Sequence, residues 1–195
     1  MEKATEIENT NGTAVDAKDY CNYAHAEKVR RYSLALAEVL ALSPDAMARL
    51  SSASLLHDVG KIGVDHNILI KKGALSDEEF EEIKRHPQIA ARIIANAHGL
   101  GPCVAAIRHH HERYDGTGYP QGLKGDEIPL EARILGLADA FADMTSDRPY
   151  RPALSWEEAI QEIRHNAGTQ FDPKIAVAFV AAIESGIITK PAEDE

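Results

Sequence analysis

Cysteine is nearly absent from this chain of 195 residues: only Cys21 and Cys103 occur. Two unpatterned cysteines cannot make a disulfide framework, so a reducing compartment is the default expectation. Long apolar runs are missing too. None reaches the roughly 18 residues of a membrane span, and the acidic N-terminus is unlike a secretory signal, so a soluble, cytoplasmic protein is expected. Basic charge is outnumbered, with 21 Lys and Arg against 31 Asp and Glu and a formal net charge of -10. That balance argues against a surface for polymeric nucleic acid, which needs a basic face. A small anionic ligand is still admitted, because a few local arginines suffice. No segment alternates as a strand would, and no internal repeat is found.

What is present is helical patterning over a length that suits one domain with a real core. Residues 1–15 are polar and aperiodic and read as a disordered stub or linker. From about Asp16 to Leu42, Val29, Leu34, Leu36, Ala37, Val39 and Leu40 fall at helical spacing. Ser43 as N-cap and Pro44 at the first helical position open a second helix that delivers His57 and Asp58, with Gly60 placed to terminate it. Ser76 and Glu79 form a capping-box pattern for a helix expected to reach about His98, which Pro87 should kink or split just after His86. Gly101 and Pro102 lead another helix into three consecutive histidines. Pro129 opens a helix with the stripe Ile134, Leu137, Ala138 and Phe141, and with Asp139 beside it. Ser155 with Glu158 starts a further helix, and Pro173 a last one to about Ser185. The fold class is all-α: one helical domain over 16–186, with a polar tail at 187–195.

Core packing does not ask for residues 109–120, HHHERYDGTGYP. Neighbouring helical residues are turned about 100° apart, so three adjacent histidines cannot share one face. Two adjacent imidazoles can instead each reach a different metal ion. The glycines and proline that follow make a turn-rich loop. His25, His57, Asp58, His86, His110, His111 and Asp139 all resist a packing explanation, although a single buried histidine is usually just a hydrogen-bonded core residue. Imidazole and carboxylate without thiolate suit Fe, Mn, Co, Ni or Zn, and Asp58 could bridge two ions.

Several stretches carry a resemblance: HDVGKIG at 57–63, HP at 86–87, HHERYDGTGYPQGL at 110–123, EIPLEARIL at 127–135, TSDRPYR at 145–151 and FDP at 171–173. Together they resemble the HD-GYP family of cyclic di-GMP phosphodiesterases, within the HD phosphohydrolase superfamily, over nearly the whole chain. The resemblance implies a helical HD-type domain whose metal ligands are the seven residues just named. It implies a phosphodiesterase that linearises cyclic di-GMP to pGpG, with GMP as a further end product left open. Two divalent transition-metal ions are implied, Fe or Mn first, with Ni, Co or Zn also suitable. A two-metal centre can generate a nucleophile near neutral pH and clamp a phosphate for in-line attack. Asp58 is then the bridging carboxylate, with a metal-bridging hydroxide as nucleophile. Lys61 stabilises charge on the phosphoryl group, as against a solvated loop lysine. Arg148 and Arg151 contact the dinucleotide, as against surface arginines, and Gly118, Tyr119 and Pro120 form the signature loop, in which Tyr119 either stacks on a base or braces the loop.

Glu112 and Asp115 are expected to orient ligating imidazoles, whereas His66, His98, His109 and His165 are left as surface or structural residues. Four positions depart from the family pattern. Cys21 stands where members with a third ion carry glutamate, which favours a binuclear site with Cys21 as a small half-buried side chain rather than a thiolate ligand. Lys28 replaces an arginine and loses its bidentate fork. Asp143 is an acid one place later than usual, sharing a helical face with Asp139. KKG at 71–73 lacks the usual proline. Other readings are hydrolysis of another cyclic dinucleotide such as cyclic GMP-AMP, a catalytically silent cyclic di-GMP receptor, or a scaffold with structural histidines. The family implies a regulatory sensor or receiver domain, or a diguanylate cyclase (GGDEF) partner, and admits a homodimer.

Overall fold

Ser43 accepts a hydrogen bond from the Ala46 amide at 3.3 Å, and Pro44 occupies the first turn, where a missing N–H costs nothing. Ser76 with Glu79 and Ser155 with Glu158 close the two expected capping boxes. From such starts the computed structural model builds nine α-helices among the described residues, which are 23–71, 73–147 and 152–190. In chain order they are α1 (Tyr23–Val39), α2 (Pro44–Leu56), α3 (His66–Leu69), α4 (Asp77–Ile83), α5 (His86–Ala95), α6 (Val104–His109), α7 (Leu130–Met144), α8 (Trp156–His165) and α9 (Pro173–Glu184). Short 3₁₀ turns span Val59–Gly63, Gly101–Cys103 and Gly125–Glu127. The described residues form no strand, only an isolated bridge between Ala167 and Phe171, so the fold is all-α. Cys21, Arg148, Arg151 and the stub 1–15 lie outside the described residues.

Helix α7 is the axis of the molecule. It packs against α1, α2, α6, α8 and α9, and its Ile134, Leu137, Ala138 and Phe141 are fully buried. Four of the aromatics cluster there. Phe141 meets Tyr32, Trp156 and Phe179 edge-on at ring separations of 5.3, 5.1 and 5.0 Å, a geometry the ring quadrupoles favour. Each such buried side chain contributes roughly 1.5–3 kcal/mol by leaving water. This apolar block holds the elements that carry the polar site at its edge.

Three expectations need correction. The helix begun at Ser76 does not run to His98: α4 stops at Ile83, and α5 covers only His86–Ala95. The break falls before His86 rather than after it. Pro87 lacks an amide hydrogen and so sits in the first turn of a new helix, where no donor is needed. Gly60 does not cap α2. It lies inside the Val59–Gly63 turn, and a Cβ there would stand 2.0 Å from the His86 carbonyl oxygen, so its role is close approach. The packed domain also extends past 186, because Ile188 is buried and Arg31 donates to the Thr189 carbonyl at 3.1 Å.

Candidate metal centre

Each candidate ligand is delivered by a helix end or by the buried axis. His57 and Asp58 follow α2, His86 opens α5, His110 and His111 follow α6, His25 lies in the first turn of α1, and Asp139 is in α7. The fold brings all seven together. His86, His110 and His111 form one group whose ligand atoms lie within 4.8 Å of one another; His25, His57 and Asp58 form a second, and His25, Asp139 and Asp143 a third that overlaps it.

Three of the imidazoles are held in the same way. Nδ1 of His57, His86 and His110 contacts the carbonyl three residues earlier, that of Ser54, Ile83 and Ile107, at 2.8, 2.8 and 2.7 Å. A carbonyl can only accept, so Nδ1 carries the proton, and in the neutral ring Nε2 keeps its lone pair. All three Nε2 atoms are buried without a hydrogen-bond partner. Two of them also face carboxylate oxygens: His57 Nε2 is 3.4 Å from Asp139 Oδ1 and 3.6 Å from Asp58 Oδ2, and His86 Nε2 is 3.4 Å from Asp58 Oδ1. Acceptor turned toward acceptor in a buried place is unfavourable until a cation lies between them. The residues therefore fit a metal centre. Asp58 offers one oxygen to each histidine group, as a bridging carboxylate must.

Electrostatics follow the same division. Burial lowers the pKa of His86 to about 3 and that of His110 to about 4, and pushes His111 well below the usual range, so these rings are neutral, as candidate ligands should be. Burial also works against charge on His57, but Asp58 and Asp139 outweigh it and raise its pKa to about 9, so in the absence of metal it draws a proton. Burial would raise the Asp58 carboxyl, yet Lys61, His57 and His86 hold it well below the carboxylate range. Lys61 Nζ donates to Asp58 Oδ2 at 2.7 Å and keeps its charge through that carboxylate, despite burial.

Glycines set the backbone spacing around the histidines. A Cβ on Gly60 would stand 2.0 Å from the His86 oxygen, one on Gly136 2.4 Å from the His110 oxygen, and one on Gly118 2.6 Å from the His111 oxygen. Any side chain at these positions would push apart the backbone segments that carry the candidate ligands. The sequence reading passed over Gly136. Its signal was available, since glycine inside a helix costs about 1 kcal/mol and needs a reason.

The 118–120 loop closes over this arrangement. Tyr119 donates its amide to the His111 carbonyl at 3.2 Å and stacks on the His111 ring at 4.9 Å, so it braces a candidate ligand. The Tyr119–Pro120 peptide is cis. Glu112 does not orient any of the seven candidates. Its buried carboxylate accepts from the Gln121 and Leu123 amides at 2.8 and 3.1 Å and lies 3.4 Å from His109, because the tight loop leaves those amides without other acceptors. Asp115 likewise accepts locally, from the Thr117 amide at 2.9 Å, as short acidic side chains do in turns. Asp143 does reach the site, with Oδ1 3.5 Å from His25 Nδ1. Lys28 donates to the Thr145 carbonyl and Ser146 hydroxyl, both at 2.9 Å, and so ties α1 to the end of α7. His66, His98 and His165 are exposed and belong to none of the candidate metal-holding groups. A cavity lined by His110, His111, Tyr119, Asp139, Asp143 and Phe80 opens beside it.

The HD domain family model matches residues 12–175. The chain belongs to the HD domain family. Its GYP tripeptide at 118–120 puts it in the HD-GYP branch, so the family resemblance read from the motifs stands. It is 40% identical to a "Cyclic di-GMP phosphodiesterase" of Thermotoga maritima, over 84% of this chain and 45% of that protein. It is 35% identical to the "Cyclic di-GMP phosphodiesterase response regulator RpfG" of Xanthomonas campestris, over 92% of this chain and 48% of that protein. The chain thus spans less than half the length of these relatives. Among solved structures, a cyclic GMP-AMP specific phosphodiesterase of Vibrio cholerae (V-cGAP3) superposes with a TM-score of 0.69 at 21% identity, covering 95% of this chain and 51% of that one. That likeness bears on the fold alone. Among the described residues of this HD domain, no helix is long and apolar enough to cross a membrane.

Proposed function

We propose that this HD-GYP domain is a metal-dependent phosphodiesterase that opens cyclic di-GMP to linear pGpG. The observation that carries the reading is Asp58, whose two carboxylate oxygens face two separate histidine groups while Lys61 holds its ammonium 2.7 Å away. His86, His110, His111 and Asp58 would hold one divalent ion, and His25, His57, Asp58 and Asp139 a second. Donors of nitrogen and oxygen without thiolate favour Fe or Mn, with Co, Ni or Zn also compatible. Once bound, the pair would supply a nucleophile at neutral pH and neutralise charge on the phosphoryl oxygens.

The protein's own groups do the rest. Lys61 keeps a positive charge beside the reacting phosphate, in a place shielded enough for that charge to count. Tyr119 covers His111 and narrows the cleft to the cavity beside the centre. Arg148 and Arg151 grip the dinucleotide in this reading, with guanidinium forks matched to phosphate oxygens or a guanine edge. Two relatives named as cyclic di-GMP phosphodiesterases support that substrate over cyclic GMP-AMP, the substrate named for V-cGAP3. The name of RpfG supports control by a receiver or sensor domain, with a GGDEF cyclase partner and a homodimer as further arrangements of the same proposal.

Anaerobic purification with elemental analysis, followed by turnover of cyclic di-GMP and cyclic GMP-AMP in the presence of Mn or Fe, tests the reading. At least two ions per chain and release of pGpG are expected. Full metal occupancy with tight nucleotide binding and no turnover would make the domain a receptor instead.

A further inference from the structure

Lys84 lies in the break between α4 and α5. Its ammonium is 4.6 Å from the centre of the Phe80 ring and 5.8 Å from that of Tyr119. Both rings line the cavity that opens on His110, His111 and Asp139, so Nζ lies beside two side chains of the cavity wall without itself being part of the lining. Its anionic partner is Glu81 at 2.7 Å, whose side chain is 68% exposed. Pairs of that kind are weak and readily exchanged for another anion.

The other described cations along the cleft are committed. Lys61 is bound to Asp58 at 2.7 Å, and Arg133 is tied to Asp172 and Asp126 at 2.6 and 2.7 Å. Arg113 Nε donates to Thr117 Oγ1 at 3.0 Å. A cyclic dinucleotide carries two phosphodiesters in one closed ring. When one of them reaches the metal centre and Lys61, the other must leave the cleft at a short, fixed remove.

We infer that Lys84, steadied over Phe80 and Tyr119, is a binding residue for the second, non-reacting phosphodiester of the substrate. This inference rests on the phosphodiesterase reading above. The Lys84 ammonium meets Glu81 and the two rings rather than a candidate metal ligand, so it acts on substrate affinity and on the preference for two-phosphate rings over simple diesters. Phe80 supplies a ring face that favours a cation at this place, and Tyr119 links the subsite to the centre through its stack on His111.

The test compares Lys84→Met, which keeps the aliphatic stem and removes the charge, with Lys84→Arg, both as metal-loaded protein. Two substrates are used: cyclic di-GMP and bis(p-nitrophenyl) phosphate, which has one phosphate. For Lys84→Met, KM for cyclic di-GMP should rise about tenfold with little change in kcat, as expected for a lost charge-assisted contact. Its kinetics on bis(p-nitrophenyl) phosphate and its metal content should match wild type. Lys84→Arg should recover most of the KM. An unchanged KM for cyclic di-GMP overturns the inference, as does an equal loss on both substrates, which would mean that the variant disturbs the loop or the metals. Should metal-loaded wild type hydrolyse neither substrate, the phosphodiesterase reading falls by itself. The subsite is then judged by calorimetry with cyclic di-GMP: a Kd about tenfold weaker in Lys84→Met sustains it, and an equal Kd or no binding by wild type overturns it.

Discussion

The imidazole half of the candidate metal centre and its carboxylate half are built by different means. His86, His110 and His111 are positioned by backbone packing: glycines rest on all three of their carbonyl oxygens, and two of the rings are locked through Nδ1. His25, Asp139 and Asp143 are positioned by side-chain contacts of 3.0 and 3.5 Å, and the His25 and Asp143 side chains are 16% and 23% exposed. His57 belongs to both schemes, fixed by Ser54 on one side and facing Asp139 on the other. Backbone packing is stiff and transmits small displacements, whereas charge contacts at a partly exposed place adjust. One half is therefore preformed and the other tunable, with Asp58 spanning both.

The harshest way to break this contrast is to remove the span. Asp58→Ala should reduce turnover to background and strip most bound metal from both halves, measured by elemental analysis beside activity. Full metal occupancy in that variant would defeat the bridging assignment. Gly136→Ala strikes the stiff half alone. Helix propensity by itself predicts a gain of about 1 kcal/mol from this change. The 2.4 Å approach to the His110 oxygen reverses the sign, for a loss of about 1–3 kcal/mol in urea denaturation and a metal affinity about 10- to 100-fold weaker. Gly101→Ala is the control, because a Cβ there meets nothing within 4 Å. A stabilised Gly136→Ala with normal metal binding would erase the difference between the halves.

Asp143→Asn tests the tunable half, and keeps the shape while removing the charge 3.5 Å from His25. Metal affinity on that side should weaken about tenfold, with the melting temperature nearly unchanged. Should affinity hold, Asp143 is a bystander on the cleft wall. The smallest effect is expected from Cys21→Ser, which should leave the ion count as it is. Loss of a whole ion would mean three ions rather than two.

The sequence by itself determined the helix starts and the chemistry of the donors. Serine caps, capping boxes and prolines act within a turn of their own position, so Ser43, Ser76 and Ser155 could be read without the fold. The imidazole and carboxylate content of 57–58, 86, 110–111 and 139 was legible in the same way, and the family resemblance joined these residues into one set. Tertiary structure decided how they are shared. It gave Asp58 one oxygen for each group, turned Glu112 away to the Gln121 and Leu123 amides, and laid Tyr119 on His111. It also gave Gly60 and Gly136 their purpose, as the places where one backbone rests on the carbonyl of a candidate ligand from a distant element. The two glycine contacts join residues more than twenty positions apart, and no local preference of the chain encodes a distance between two backbones that meet only after the core has packed.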